Sequence, residues 1–218
     1  MKAQVFFGGT FDPPHIGHLI IASEVMAAVP AEQLVFVPVA RNPFKDEGPE
    51  ATGRDRIEML RRLASGDSRF TVSSHEIERP APSRTFDTVT SMISAGTLSE
   101  EPWMVVGDDL VPGLLRWYRG EELLQMVRLA VVCRQVPLHL ALPSGGSPDR
   151  SPEKGRQSVV AELRHVVEQL TDRFVIVLNP YIGISSREIR RRLHEMKPVR
   201  YLVPDTVYDY IQENSLYQ

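Results

Sequence analysis

The chain has 218 residues, 42% hydrophobic and 24% charged, a composition that suits one well-buried core and excludes a disordered chain. With 28 Asp plus Glu against 25 Lys plus Arg, the net charge of -3 gives no general attraction to nucleic acid or an anionic membrane, so a charged substrate must be met by local groups. The single Cys133 cannot form an intramolecular disulfide, no apolar run approaches the roughly 20 residues of a membrane span, and no basic leader with a long apolar core opens the chain, so a cytoplasmic protein is expected.

Ala3-Gln4-Val5-Phe6-Phe7 is short, apolar and rich in β-formers, and predicts a buried first strand. Gly17 to Met26, with apolar Leu19, Ile20, Ala22 and Val25, predicts a helix. Between them a glycine turn at Gly8 and Gly9 is expected to open the run Gly8-Gly9-Thr10-Phe11-Asp12-Pro13-Pro14-His15-Ile16-Gly17-His18-Leu19. Gly8 and Gly9 let the backbone approach an anion, and the helix start offers N–H groups and a positive dipole end to phosphate oxygens. His15 and His18 share a face at that helix start. Thr10 offers a hydroxyl or backbone donor, and Asp12 suits a cap on the turn before Pro13. Taken singly these features have plainer meanings. Two glycines after a strand fit an ordinary turn, and a histidine pair fits a zinc fragment or a solvated helix start. The remaining histidines, His75, His139, His165 and His194, are scattered, which disfavours zinc. The whole segment in its strand-to-helix setting reads as a nucleotide phosphate site.

Strand-like runs recur at Leu34–Val37, Phe70–Val72, Trp103–Val106, Leu129–Cys133 and Phe174–Leu178. Helical stripes lie between most of them: Ile57, Leu60 and Leu63, then Val159, Val160, Leu163, Val166, Val167 and Leu170. Such alternation predicts a doubly wound α/β fold with a mainly parallel sheet and Rossmann-like nucleotide-binding architecture, spanning 1–218 as one domain. Gly8 and Gly107 then both lie at carboxyl ends of strands, where ligands of such sheets sit. Gln135–Arg156 carries loop chemistry, so a surface insertion is expected near 135–156. A small helical part is expected from about 184. There Ser185 and Glu188 have capping-box spacing, and Ser186, Arg187 and Arg190 fall in or near the first turn, where an anion is welcome.

Gly8 to His18 resembles the signature of the HxGH nucleotidyltransferases, and within them the chain most resembles bacterial nicotinate mononucleotide adenylyltransferases. The likeness runs nearly end to end. Pro38 to Lys45 resembles that family's loop near the mononucleotide, Arg56-Ile57-Glu58-Met59 its following helix, and Pro82 to Thr88 its Ser-Tyr-Thr-x-Asp-Thr segment. Gly107-Asp108-Asp109 with Trp117 resembles its Gly-x-Asp and Trp block, Ile184 to Arg190 its Ile-Ser-Ser-Thr-x-Ile-Arg motif, and Tyr201 to Tyr217 its ending. Three positions depart from the pattern: Arg84 stands where the family usually has an aromatic, Arg187 where Thr is common, and Phe44 where His often precedes Lys45.

The resemblance implies transfer of the adenylyl group of ATP to nicotinate mononucleotide, giving nicotinate adenine dinucleotide and pyrophosphate. It implies an ATP site of Gly8, Gly9, Thr10, Phe11, His15, His18, Gly107, Asp109, Ser185, Ser186 and Arg190. His18 would donate to the α-phosphate, His15 would hold phosphate nearby, Arg190 with Ser186 would grip the β and γ groups, and Asp109 would hold a ribose hydroxyl. On the mononucleotide side it implies Lys45, Thr85, Trp117 against the pyridine ring, and the Tyr118 backbone at the carboxylate. Mg²⁺ is implied on the ATP phosphates with no ligand set of the protein's own. The attacking group is already a phosphate oxyanion, so positioning and charge neutralisation suffice. The rival readings are nicotinamide mononucleotide or pantetheine-phosphate adenylyltransferase, a class I aminoacyl-tRNA synthetase core, and a non-catalytic nucleotide sensor. The implied partners are small nucleotides, with no nucleic acid and no membrane; assembly into a homo-oligomer is left open.

Overall fold

The computed structural model describes residues 3–40, 48–79, 84–133, 152–180 and 182–218. Lys45, Phe44 and most of the expected 135–156 insertion lie outside them. Six strands, β1 (Gln4–Gly9), β2 (Gln33–Pro38), β3 (Phe70–Val72), β4 (Trp103–Gly107), β5 (Arg128–Cys133) and β6 (Phe174–Leu178), form one sheet in the order β3-β2-β1-β4-β5-β6. Every pairing is parallel. Helices α1 (Ile16–Ala28), α2 (Gly53–Ala64), α3 (Thr85–Ser94), α4 (Gly120–Met126), α5 (Pro152–Glu168), α6 (Ser186–His194) and α7 (Asp205–Glu213) accompany it, with a 3₁₀ helix at Val111–Arg116.

A parallel sheet covered on both faces needs strands apolar at every position, and these strands comply. Val5, Phe7, Leu34, Phe36, Ala130 and Val132 face one core with residues of α1, α2, α6 and α7. Phe6, Val35, Val37, Met104, Leu129 and Val131 face the other with α3, α4, the 3₁₀ helix and α5. Cys133 is buried at the end of β5, as its apolar run implied.

Two expectations are corrected. The glycine pair does not form the turn: β1 runs on through it, with Gly8 opposite Val37 and Gly9 opposite Pro38. The turn proper is Thr10–Pro14. Helix α5 opens at Pro152, inside the stretch read as loop, because Pro is well suited to a first helical turn.

The strand order reverses between β1 and β4, the topological switch point of a doubly wound sheet. Their pairing covers only Val5 with Trp103 and Phe6 with Met104, although β1 continues to Gly9 and β4 to Gly107. Beyond Phe6 and Met104 the two strands share no ladder pairing, and Gly8, Gly9 and Gly107 stand at that end of them, where doubly wound sheets seat their ligands.

Candidate active site

Beyond Gly9 the chain turns sharply. Phe11 takes a left-handed backbone, φ 52°, and the Asp12–Pro13 peptide is cis. The Phe11 ring is buried edge-on against Phe7, Phe36 and His18, with centroids 5.5, 5.7 and 4.9 Å apart. A Cβ on Gly9 would stand 2.8 Å from that ring, so only glycine lets strand and ring share the space. Phe11 therefore acts in this turn as packing, holding the backbone of Gly8 to Thr10 at the switch-point end of the sheet.

Helix α1 starts at the end of this turn with His15 as its N-cap residue. The His15 N–H donates to Nδ1 of His18 at 3.1 Å, while the His18 N–H donates to the His15 carbonyl at 2.9 Å. The rings stack with centroids 3.8 Å apart. With Nδ1 occupied as an acceptor, the neutral His18 ring carries its hydrogen on Nε2 and presents it as a donor. Gly17 makes the arrangement sterically feasible, since a Cβ there would come within 2.9 Å of His15 Nδ1.

Helix α6 closes on the same turn from a distant part of the chain. Ser186 Oγ donates to the Pro13 carbonyl at 2.8 Å, and Arg190 Nη1 donates to the Asp12 carbonyl at 2.7 Å. Arg190 Nε also donates to Glu50 at 2.5 Å, and His194 Nε2 lies 3.0 Å from the other Glu50 oxygen. Ser185 accepts from the Glu188 N–H at 3.2 Å and caps α6. The expected reciprocal half of the box is missing because the Glu188 carboxylate turns to Arg191 and Arg192. That pairing, with hydrogen bonds from Arg191 first and then Arg192, lowers the Glu188 pKa to about 2.

Asp12 does not cap its own turn. Its carboxylate, 2% exposed, accepts the Glu50 N–H at 2.9 Å, the Ala51 N–H at 3.1 Å and the Tyr217 hydroxyl at 2.7 Å. A buried carboxylate needs several donors, and one tight turn cannot supply them. Below it, Arg56 of α2 is buried and donates from Nη1 to the carbonyls of Thr10 and Val39 at 2.9 and 2.7 Å. Burial lowers its pKa, while Asp12 first, then Tyr217 and Glu76, oppose that shift. Thr10 thus uses its carbonyl to anchor the turn. Buried Glu76 accepts from the Thr88 hydroxyl at 2.7 Å, tying α3 to the same group.

A second cluster forms where α3 begins. The Arg84 guanidinium stands 4.2 Å from the centre of the Tyr118 ring, Tyr118 meets Phe86 edge-on at 6.3 Å, and Arg119 covers Phe86 at 4.0 Å. Half-buried Thr85 is the first residue of α3. Trp117 ends the 3₁₀ helix, half-buried and partly packed into the second core. The structure therefore brings the start of α3, through the neighbours of Thr85 in sequence, onto Tyr118, which directly follows Trp117. Asp109 is exposed just beyond β4, its N–H donating to Asp108 Oδ1 at 3.0 Å.

A family model described as cytidylyltransferase-like matches residues 6–192. A probable nicotinate-nucleotide adenylyltransferase of Methylacidiphilum infernorum (isolate V4) is 34% identical over 97% of this chain and 90% of its own length. The nicotinate-nucleotide adenylyltransferase of Bacillus subtilis (strain 168) is 31% identical over the whole of both chains. The chain belongs to the nicotinate-nucleotide adenylyltransferases of the cytidylyltransferase-like family. In fold it resembles Plasmodium falciparum nicotinic acid mononucleotide adenylyltransferase complexed with NaAD, with a TM-score of 0.70 at 17% identity, covering 100% of this chain and 98% of that one.

For a member of this family the notable additions are residues that sequence reading did not single out: Glu50, Arg56 as an anchor, Glu76 and Tyr217. Only Arg56 left a signal. It lies on the stripe that continues through Met59, Leu60 and Leu63, where an inward arginine must have partners.

Proposed function

We propose that this protein transfers the adenylyl group of ATP to nicotinate mononucleotide, releasing pyrophosphate and forming nicotinate adenine dinucleotide for NAD synthesis. The observation that carries the reading is the His15–His18 bond, in which His18 Nδ1 accepts and the ring hydrogen of the neutral form is left on Nε2, at the start of α1 and the switch-point end of the sheet. The backbone of Gly8 to Thr10 and the α1 start receive the ATP phosphates, the glycine of β4 and Asp109 lie toward the nucleoside, and α6 brings Ser186 and Arg190 over the leaving β and γ groups. The mononucleotide enters along Trp117, with Thr85 and Tyr118 at its carboxylate.

The reaction forms one P–O bond from the mononucleotide phosphate to the α-phosphorus and breaks the bond to pyrophosphate. The nucleophile is already an oxyanion, so no protein base takes a proton. His18 Nε2–H stabilises charge developing on the α-phosphate oxygens, Arg190 neutralises charge gathering on pyrophosphate, and the Ser186 hydroxyl exchanges the Pro13 carbonyl for a phosphate oxygen. In this reading Mg²⁺ enters with ATP, where it would sit on the nucleotide's phosphates and help draw charge from them.

Pyrophosphate release with ATP and Mg²⁺ tests the proposal, with nicotinate mononucleotide, nicotinamide mononucleotide and phosphopantetheine in parallel. Strong preference for the nicotinate compound is expected. Turnover of phosphopantetheine in its place, or of none of the three, overturns it.

A further inference from the structure

Arg84 is placed oddly for a residue of purely structural value. It is the N-cap residue of α3, yet its side chain makes no cap hydrogen bond. A cation at a helix N-terminus faces the positive end of the dipole, the reverse of the stabilising arrangement. The nearby Arg119 is held by the Glu122 carboxylate. Arg84 is exposed and pairs with no carboxylate among the described residues; its guanidinium instead covers the Tyr118 ring at 4.2 Å. A guanidinium over a ring face leaves N–H donors for another acceptor. Thr85 follows it in sequence, and Phe86 meets Tyr118 edge-on.

We infer that Arg84 is a specificity-determining residue that pairs with the carboxylate of the pyridine substrate, adding a charge-assisted contact to those from Thr85 and the Tyr118 backbone. The inference rests on the proposed reaction. Backbone donors distinguish a carboxylate from a carboxamide by hydrogen-bond polarity alone, whereas an unpaired guanidinium adds a charge term that the neutral amide cannot satisfy. Stacking on Tyr118 preorganises the long side chain, so less freedom is lost when the substrate arrives.

The test is steady-state kinetics of the wild type, Arg84→Gln and Arg84→Lys with nicotinate and nicotinamide mononucleotides. Both substrates carry the same phosphate, so a change in their ratio reports on the pyridine substituent alone. Arg84→Gln is expected to lower the acid-to-amide ratio of kcat/KM by about tenfold or more, the size of one charge-assisted hydrogen bond. The loss should appear in KM for the acid, with the constants for the amide unchanged, and Arg84→Lys should fall between. An unchanged ratio, or equal losses with both substrates, overturns the inference and leaves Arg84 as a prop for Tyr118. A wild type that turns over neither mononucleotide overturns the proposed reaction itself, and the role of Arg84 falls with it.

Discussion

The Tyr217 hydroxyl donates to Asp12 Oδ1 at 2.7 Å across 205 positions of sequence, so the turn between β1 and α1 is locked by a side chain beyond the last helix. Burial first, and then the Asp12 charge, raise the Tyr217 pKa above its ordinary value. A raised folded-state pKa means that the neutral phenol is favoured by folding. Its contribution is fully present below the unfolded value of about 10 and is lost as pH climbs above it. Tyr217→Phe should cost about 1–2 kcal/mol at pH 8, the loss of a donor to a buried charged acceptor. Urea unfolding at pH 8 and pH 11 checks this: the wild type should lose more stability over that interval than Tyr217→Phe does.

Gly17→Ala should separate folding from function. The added methyl meets the His15 ring at 2.9 Å and must push it off the stack with His18, while alanine favours the helix backbone by up to about 1 kcal/mol. Thermal unfolding should change little or improve, and kcat should fall at least about tenfold, since small displacements of positioning groups are costly. A Gly17→Ala protein with wild-type kcat would show that the His15 position is unimportant.

Removing the His18 ring should act on turnover. His18→Ala is expected to lower kcat by about two to three orders of magnitude, the usual cost of one preorganised transition-state donor, with circular dichroism unchanged. Near-normal turnover by the folded variant would remove His18 from its assigned role.

Arg56→Leu should act on stability before anything else. It leaves the Thr10 and Val39 carbonyls without their donor and Asp12 without its nearby buried cation, a loss of about 3–5 kcal/mol by analogy with other broken buried ion pairs. A shift of the urea midpoint measures it. A loss under about 1 kcal/mol would mean that water replaces the guanidinium and that the site is wetter than its burial implies.

The sheet was legible because its signal is local. Phe70–Val72 and Phe174–Leu178 match the strands predicted from apolar runs, and the others differ by a residue or two at the ends. The two glycines were misread as the turn because a strand ladder can carry glycine when its neighbour is a close-packed ring, and nothing local announces that Phe11 folds back over Gly9. The approach of Ser186 and Arg190 to the first motif followed from the family likeness, and the structure puts both on the carbonyls of Asp12 and Pro13. Asp12 as a hub was not legible. Its donors come from Glu50, Ala51 and Tyr217, which no periodicity connects.

The short ladder between β1 and β4 has an evolutionary reading. A nucleotide seated in a gap between two strands is held largely by main chain, whose donors and acceptors every residue supplies alike. Side chains along the rim can then drift without unmaking the cradle. Exposed Arg84 fits such a division: in the proposed reaction the chemistry falls to the backbone cradle, the histidine pair and Arg190, and the rim is free to be rewritten when the preferred acceptor changes.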